Sequence, residues 1–307
     1  METTSLYRLR RDGNWTRDGA GVRLYRVFGG VELAELLDPF LLLDHFGSRY
    51  PHEYLMGFPW HPHRGIETVT YLLKGEVHHE DSTGNKGVIR SGDLQWMTAG
   101  SGIFHEEMPK PGRVRVGDAE VEDPEVNGFR LWVNLPRSQK MVNPKYRNLI
   151  RENVPIATLE TGGKAAVIAG RIRVPNYGVI EGPITDLTVP VQYMDVQLPE
   201  ESSFNYHVKD GYTAIAYVIE GAARFDKVGR TASSRELVVY SRDGEDITVE
   251  TGDKPVRFLL LAGRPLGEPI AWYGPIVMNT WDEVMDAFEE LRKGTFIKAR
   301  AEVQDYQ

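Results

Sequence analysis

Trp60-His61-Pro62-His63-Arg64-Gly65 opens the stretch of sequence that decides the fold, and His105-Glu106-Glu107-Met108-Pro109 closes it. Each motif carries two candidate ligands two residues apart, His61 with His63 and His105 with Glu107. Residues at this spacing on a β-strand point to the same face, roughly 6.5 to 7 Å apart along the backbone. Two such strands brought face to face would offer three imidazoles and a carboxylate to one ion. This donor set suits iron, manganese, nickel, copper or zinc.

The histidines of the chain are concentrated in this region. Seven of the eight lie between His45 and His105, and the eighth is His207. Histidines two residues apart are common in loops and on surface strands, so one such pair is weak support for a metal site. The concentration and the second pair together favour metal binding.

The composition narrows the class of protein. The chain has 307 residues, of which 41% are hydrophobic and 26% charged, so two folded domains with ordinary globular cores are expected. A net charge of −8 argues against general binding of nucleic acid, because that binding depends on basic groups meeting phosphates. The absence of cysteine excludes thiolate ligands and disulfides, so any metal is held by nitrogen and oxygen.

The N-terminal residues and the hydropathy of the chain bear on its location. Residues 1–6 contain no basic segment followed by an apolar core, and no run of about 18 apolar residues occurs. These patterns predict a cytoplasmic protein that neither contacts a membrane nor binds nucleic acid directly. We also expect a monomer.

Short β-rich segments separated by turn residues recur along the chain. Residues 68–73, 129–135 and 257–261 are examples, and this spacing predicts an antiparallel all-β architecture. The pattern of residues 71–77 is similar to that of residues 217–223, each an apolar strand that ends at a charged residue and a glycine. We expect a structural repeat whose second copy lacks the histidine pair and holds no metal.

One helix is predicted from Trp281 to Lys293. Thr280 can cap it, Glu283 completes a capping box, and Gly294 ends it. Its apolar face consists of Trp281, Val284, Met285, Phe288 and Leu291. We expect this face to pack against the rest of the protein rather than to form a groove for a partner.

The polar segment from Pro136 to Pro144 is bracketed by prolines and predicts a linker. The expected N-terminal domain therefore covers residues 1–136 and carries the metal site. The expected C-terminal domain covers residues 137–307 and includes the helix over residues 281–293.

Six motifs, in the order in which they occur, make the chain similar to the pirins, which are bicupins of the cupin superfamily. They are residues 40–46 (FLLLDHF), 61–65 (HPHRG), 92–100 (GDLQWMTAG), 105–109 (HEEMP), 131–136 (LWVNLP) and 273–280 (YGPIVMNT). The resemblance covers essentially the whole chain. It implies two tandem jelly-roll β-barrels, the N-terminal one with the metal and the C-terminal one degenerate. It also implies His61, His63, His105 and Glu107 as ligands and Fe(II) as the ion, although manganese, nickel, copper and zinc also fit these donors.

The carboxylate ligand has an alternative in the sequence. The general cupin pattern places a glutamate four residues after the second histidine, and that residue here is Glu67. The step from His63 to Glu67 is even, so on one strand both would face inward. In that pattern Glu107 would lie behind the ligands, whereas the pirin pattern favours Glu107 as the ligand itself.

The ligand set and the resemblance together predict oxygenase chemistry. Four protein ligands leave two positions free on an octahedral ion, whereas a structural zinc site closes tetrahedrally, usually with cysteines. Pirins are associated with quercetin 2,3-dioxygenase activity, in which dioxygen opens the heterocyclic ring of a flavonol and carbon monoxide is released. The resemblance implies a flavonol and O2 as substrates, with the metal as Lewis acid. Our hypothesis is that Glu107 is the catalytic base for the 3-hydroxyl proton. Burial in an apolar barrel is expected to raise the pKa of Glu107.

The large side chains beside the histidine pairs are candidates for the walls of a pocket. They are Phe58, Trp60, Trp96, Met97 and Phe104, and we expect most to be barrel core, with one or two lining the pocket. The adjacent His78 and His79 would point to opposite faces of a strand, so the pair is predicted at a hairpin surface, with His79 the one able to face the pocket. His45 and His52 are expected in loops.

Two other functions stay open. Eukaryotic pirins are described as nuclear coregulators, which implies a non-enzymatic, iron-dependent regulatory protein that binds a transcription factor or a metabolic enzyme. An acidic chain without basic tracts suits a protein partner better than DNA. A third interpretation is that the site acts on another small molecule and that flavonol turnover is incidental.

Overall fold

The computed structural model describes residues 5–306, and these are mostly β-strands that group into two compact units. The histidine unit comprises Asn14–Leu36, Phe40–Asn153 and residues 266–306. The second unit comprises residues 5–13, Leu37–Pro39 and Val154–Pro265. The predicted all-β class is confirmed.

The strands are numbered in chain order. The first are β1 (Leu6–Arg10), β2 (Asn14–Asp18), β3 (Val22–Gly29), β4 (Phe40–Ser48), β5 (Phe58–His63), β6 (Ile66–Lys74), β7 (Glu76–Asp81), β8 (Lys86–Arg90), β9 (Leu94–Thr98) and β10 (Ile103–Lys110). There follow β11 (Gly112–Val116), β12 (Ala119–Asp123), β13 (Val126–Asn134), β14 (Lys145–Leu149), β15 (Ile156–Thr158), β16 (Lys164–Ala169), β17 (Arg171–Val174), β18 (Gly178–Glu181) and β19 (Val191–Leu198). The last are β20 (Ser203–His207), β21 (Thr213–Arg224), β22 (Thr231–Ser233), β23 (Leu237–Tyr240), β24 (Asp246–Glu250), β25 (Val256–Gly263), β26 (Ala271–Tyr273), β27 (Ile276–Met278) and β28 (Glu302–Tyr306).

The described residues also include α-helices and 3-10 turns. The α-helices are α1 (Val31–Leu37) and α2 (Trp281–Lys293), and 3-10 turns span Pro51–Glu53, Arg137–Gln139 and Arg151–Asn153. Within residues 5–306, no helix has the length and apolar character needed to cross a membrane.

Two large sheets form most of the histidine unit, and the hairpins β11-β12 and β26-β27 are also part of it. Eight strands pair in the order β2-β3-β4-β13-β6-β9-β14-β28, and four pair in the order β5-β10-β7-β8. Successive side chains of a strand alternate between its faces. Thr70 of β6 reaches Glu107 of β10 with a 2.8 Å hydrogen bond, so these two residues mark the faces that the sheets turn toward each other. The space between those faces is called the barrel interior below.

The second unit is built on a sheet in the order β1-β23-β21-β25-β19-β16-β15, joined by β20, β22 and β24. The predicted repeat is visible in two glycines, Gly75 after β6 and Gly221 within β21, with φ of 85° and 80°. A Cβ on Gly221 would lie 2.0 Å from the Pro255 carbonyl oxygen, so the facing strand approaches too closely for any other residue.

The grouping of the chain differs from the division expected at residue 136. β1 pairs with β23, so the N-terminal strand belongs to the second unit, and α2 packs on β26 and β27 of the histidine unit. The difference arises because strands pair through backbone hydrogen bonds. The side-chain pattern of β1 therefore does not show that its partner is β23.

The segment expected to be a linker is packed into the histidine unit. Its residue Lys140 is 1% exposed. The Lys140 ammonium donates to the Gly65 carbonyl at 2.9 Å, to Asn134 Oδ1 at 2.7 Å and to the Val277 carbonyl at 2.9 Å. This buried cation therefore holds the turn between β5 and β6 against β27.

Helix α2 is confirmed with its predicted boundaries. Thr280 and Glu283 form the capping box, and Gly294 ends the helix with φ of 71°. The expectation that its whole apolar face packs is wrong for Trp281 and Met285, which are 58% and 65% exposed. Only one side of the helix lies against β26 and β27, so these two residues project from the other.

Candidate metal centre

The two predicted ligand pairs lie on neighbouring strands. His61 and His63 are on β5, and His105 and Glu107 are on β10. The strands are antiparallel, with His105 opposite His61 and a bulge between His105 and Glu107. They were expected to face each other but are instead edge-to-edge neighbours in one sheet. Their side chains converge because all four share the face that points into the barrel interior.

The three histidines form a compact triad. His61 Nε2 and His105 Nε2 are 3.0 Å apart, and the ring centroids of the three pairs lie 4.5 to 5.1 Å apart. One ring nitrogen from each lies within 4.8 Å of the others. Two nitrogens bound at about 2.1 Å to one ion, at right angles, would lie roughly 3.0 Å apart. The triad can therefore hold a metal ion.

The hydrogen bonds of the imidazoles also fit a metal ion. His61 Nδ1 is 2.8 Å from the Pro59 carbonyl and donates to it, which leaves the lone pair on Nε2 free. His63 is 2% exposed, and neither of its ring nitrogens has a hydrogen-bond partner among the described residues. The buried Nδ1 of His105 also has none. Buried polar atoms are rarely left unpaired, so an unpartnered ring nitrogen of His63 points to an additional ligand in the site.

Burial keeps the three imidazoles neutral. Desolvation lowers the pKa of His61 and takes that of His63 well below 6.5. Desolvation, with the neighbouring His61, lowers the pKa of His105 to about 3. Neutral imidazole is the form that binds a metal ion.

Glu107 presents a carboxylate beside the triad. Its Oε1 accepts the hydrogen bond of Thr70, while its Oε2 lies 4.0 Å from His105 Nε2 and 3.6 Å from an Arg130 nitrogen. Burial acts to raise the pKa of Glu107, but His105, Arg130, His61 and Thr70 together bring it below 4.5. The expected raised pKa is therefore wrong, because the sequence did not show that Arg130 would reach this carboxylate. Glu107 is ionised at neutral pH.

The alternative carboxylate, Glu67, points away from the triad. A turn at Arg64 and Gly65 separates β5 from β6, so the even spacing from His63 does not carry over to Glu67. Along β6, Glu67 is an odd step from the inward-facing Thr70 and lies on the opposite face. Its two oxygens accept hydrogen bonds from Trp96 Nε1 at 2.8 Å and Thr98 Oγ1 at 2.7 Å.

Glu107 belongs to a network of charged side chains that also includes Arg130, Asp44 and Arg26. Arg130 lies 3.7 Å from Asp44, a fully buried carboxylate that Arg26 grips with two hydrogen bonds of 2.9 and 3.0 Å. The Arg130 guanidinium also stacks over the Phe58 ring at 3.9 Å. Sequence reasoning missed Arg130 and Asp44. In the sequence, each is marked only by its position on the inward-facing side of a strand, β13 for Arg130 and β4 for Asp44. That position indicates a contact only once the two strands are known to be neighbours.

The other histidines have different surroundings. His78 is partly exposed and pairs with Glu76 at 2.8 Å, whereas its neighbour His79 is 8% exposed and faces the barrel interior. His45 lies on β4 rather than in a loop, with Nε2 2.8 Å from Asn127. His52 lies in the exposed 3-10 turn Pro51–Glu53.

The candidate wall residues divide by face and burial. Trp96 faces Glu67, on the side of the sheet away from the triad, and Trp60 is 49% exposed. Phe58 and Met97 are buried, and Phe104 packs edge-on against Phe296 at 5.7 Å. Trp132, which was not anticipated, contacts the His63 ring edge-on at 5.1 Å. The apolar surface nearest the triad is therefore supplied by β13 as well as by β5.

Comparison with known proteins identifies the family. Residues 21–133 match the pirin model and residues 193–297 match the model of the pirin C-terminal cupin domain. A Thermoplasma acidophilum protein, provisionally named a quercetin 2,3-dioxygenase, is 42% identical over 258 residues, which are 83% of this chain and 98% of that protein. The crystal structure of quercetin 2,3-dioxygenase from Acinetobacter baumannii has a TM-score of 0.83 and 32% identity, over 96% of this chain and 99% of its own.

A more distant structure has the same fold. The bacterial pirin YhhW of Escherichia coli, solved in complex with nickel(II), has a TM-score of 0.60 and 18% identity, over 84% of this chain and 98% of its own. The two family models match separate parts of the chain in the expected order, and the two relatives above extend along most of its length. The chain belongs to the pirin family of bicupins.

Proposed function

We propose that this pirin is a dioxygenase that opens the heterocyclic ring of quercetin-type flavonols, consuming O2 and releasing carbon monoxide. The observation that carries the proposal is the convergence of three neutral imidazoles and one ionised carboxylate on the same face of one sheet. The names of the Thermoplasma and Acinetobacter relatives support the choice of substrate.

The proposed ligands are His61, His63, His105 and Glu107, with Fe(II) as the ion. Glu107 is preferred to Glu67 because its Oε2 approaches His105, whereas both oxygens of Glu67 are engaged on the other face of β6. Manganese, nickel, copper and zinc suit the same donors, and the E. coli pirin was solved with nickel(II). A divalent ion bound here supplies Lewis-acid and, for a redox-active metal, electron-transfer chemistry.

The protein groups have distinct roles in the proposed reaction. Glu107 accepts the proton of the flavonol 3-hydroxyl, and Thr70 and Arg130 keep this carboxylate ionised and oriented. A carboxylate positioned in this way accelerates proton transfer by about 10²-fold to 10⁴-fold. His61 is the partly exposed member of the triad, so we place the entrance for the substrate beside it. Trp132 supplies an apolar surface next to His63 for a flat aromatic ring.

The decisive experiment compares the unmodified protein with His61→Ala. We expect the unmodified protein to contain about one metal ion per chain, to consume quercetin in air and to release carbon monoxide. His61→Ala should lose metal and both activities together. His207→Ala removes an exposed histidine of the second unit and should change none of these quantities. Absence of metal from the purified protein, or quercetin loss without carbon monoxide, would refute the proposal.

The regulatory alternative makes a different prediction in the same experiment. A metal-loaded protein that leaves quercetin intact, and that captures a transcription factor or metabolic enzyme only when loaded, would favour a protein partner over a flavonol. The third interpretation predicts slow quercetin loss together with faster turnover of another small molecule.

A further inference from the structure

His79 occupies a fixed position in the barrel interior beside the metal centre. It lies opposite Glu107 in the ladder between β7 and β10 and is 8% exposed. On its other side, a Cβ on Gly87 would lie 2.8 Å from His79 Nε2, so the glycine leaves room for the ring. The Tyr146 ring stacks on it, with centroids 5.8 Å apart and planes inclined by 23°. Neighbours on three strands thus set the position of the imidazole.

A chain of side-chain hydrogen bonds connects this imidazole to the C-terminal strand. Gln95 Nε2 lies 2.8 Å from His79 Nε2 and donates to Asn148 Oδ1 at 3.0 Å. Asn148 Nδ2 donates to Asp305 Oδ1 at 3.0 Å. His79 lies on β7 of the four-stranded sheet, and the other three residues lie on β9, β14 and β28, which are consecutive strands of the eight-stranded sheet.

The chemistry of this chain fixes where the proton of His79 lies. An aspartate carboxylate only accepts hydrogen bonds, so Asn148 must present its amide nitrogen to Asp305 and its oxygen to Gln95. Gln95 must then present its amide nitrogen to both Asn148 and His79. A donor facing His79 Nε2 requires a lone pair there. The neutral ring therefore carries its proton on Nδ1, and burial, which lowers the pKa of His79, keeps the ring neutral.

The Nδ1–H that results has no partner within residues 5–306. The atom is buried, so whatever accepts its hydrogen bond must also lie inside the protein. The ladder between β7 and β10 places His79 next to Glu107, the group that is proposed to bind metal and substrate. A flavonol carries several oxygens suited to accept such a bond.

We infer that His79 is a positioning residue that donates a hydrogen bond from Nδ1 to a flavonol oxygen, and that Asp305 fixes this tautomer through Asn148 and Gln95. The identity of the ligand rests on the proposed function. The tautomer does not, because it follows from the hydrogen bonds of the chain itself.

The tautomer is tested by NMR of protein labelled with ¹⁵N at the histidine rings, without metal and with zinc. We expect His79 to show a protonated Nδ1 and an unprotonated Nε2. Asp305→Asn lets the amides of Asn148 and Gln95 reverse, so a population with the proton on Nε2 should appear. Glu302→Gln alters an exposed carboxylate on the same strand and should leave the spectrum unchanged. A proton on Nε2 in the unmodified protein, or no response to Asp305→Asn, overturns the relay.

The donor role is tested by quercetin binding to metal-loaded protein without oxygen. His79→Leu removes the donor and should weaken binding about 2-fold to 12-fold, the equivalent of one neutral hydrogen bond. His79→Asn keeps an N–H near the position of Nδ1 and should restore most of the affinity. Equal binding by the leucine variant overturns the donor role. If metal-loaded unmodified protein binds no quercetin, the proposed function and the flavonol assignment fall together, while the NMR result still decides the relay.

Discussion

Glu107 is the single residue on which the proposed chemistry depends most directly. One of its oxygens is held by Thr70, and the other faces His105 and Arg130. This arrangement makes it both a fourth ligand and a proton acceptor, since a carboxylate has four lone pairs available to donors and metal ions.

Glu107→Gln is expected to lower metal affinity and to reduce turnover at least about 100-fold even at saturating metal, because an amide does not accept the hydroxyl proton. Metal analysis and carbon monoxide release during a single turnover separate the two effects. Glu106→Gln is the matched control, because Glu106 is the adjacent residue of β10 and points to the opposite face. Full turnover by metal-saturated Glu107→Gln would remove Glu107 from the mechanism.

The residues of the site differ in how far the sequence could reveal them. His61, His63 and His105 could be predicted because two-residue spacing on a strand is a local property. Arg130 and the surroundings of His79 could not be predicted. Each residue lies on a strand whose neighbours in the sheet are set only by folding. The sequence could not place Glu67 for the same reason, because its even spacing from His63 has no meaning across a turn.

The turn between β5 and β6 is the element that positions the histidine pair. Arg64 donates to the Ser101 carbonyl at 2.7 Å, to Glu290 at 2.7 Å and to the Phe296 carbonyl at 2.9 Å. Gly65 has φ of 78°, and a Cβ there would lie 1.9 Å from the Val277 carbonyl oxygen. The turn can therefore approach β27 only with glycine at this position.

Gly65→Ala is expected to destabilise the protein by more than about 2 kcal/mol, since it adds a backbone clash to an unfavourable φ. Urea unfolding measures the loss, and metal affinity should fall with it because His63 precedes the turn. Gly84→Ala provides the comparison. Gly84 has φ of 94° but open space around its Cβ, so it should lose only about 1 kcal/mol. Equal losses in the two variants would mean that the contact with Val277 is unimportant.

Elements were predictable where their signals are local. The capping box and the terminal glycine of α2 lie within the helix and its ends, so its boundaries could be read from the sequence. The segment after Pro136 has the composition of a linker, but the burial of Lys140 depends on three oxygen acceptors, two of which, the carbonyls of Gly65 and Val277, lie far along the chain. Composition alone does not reveal such acceptors.

The whole molecule is expected to lose stability in acid when it contains no metal. His63 and His105 have folded-state pKa values below the usual 6.5, so the unfolded chain binds protons that the folded chain does not. Their contribution is complete above pH 6.5 and declines as the pH falls toward the folded-state values. At pH 5.5 His105, whose folded-state pKa is about 3, should cost about 1.4 kcal/mol relative to pH 7.5.

Urea unfolding of metal-free protein at pH 7.5 and 5.5 measures this decline. His105→Gln should reduce the difference between the two pH values by about 1.4 kcal/mol, because one buried histidine is gone. His207→Gln removes an exposed histidine and should leave the difference unchanged. A pH dependence that is the same in all three proteins would show that the triad is not buried in a neutral form.

The bond between Arg64 and Glu290 has a consequence for biosynthesis. The two residues are 226 positions apart, so the turn that follows His63 obtains its partner only late in translation. At about 5 to 20 residues per second, that interval is roughly 10 to 45 s on the ribosome. The nascent chain exposes its histidines well before α2 emerges to anchor them, so we expect durable metal loading to follow the emergence of α2 from the ribosome.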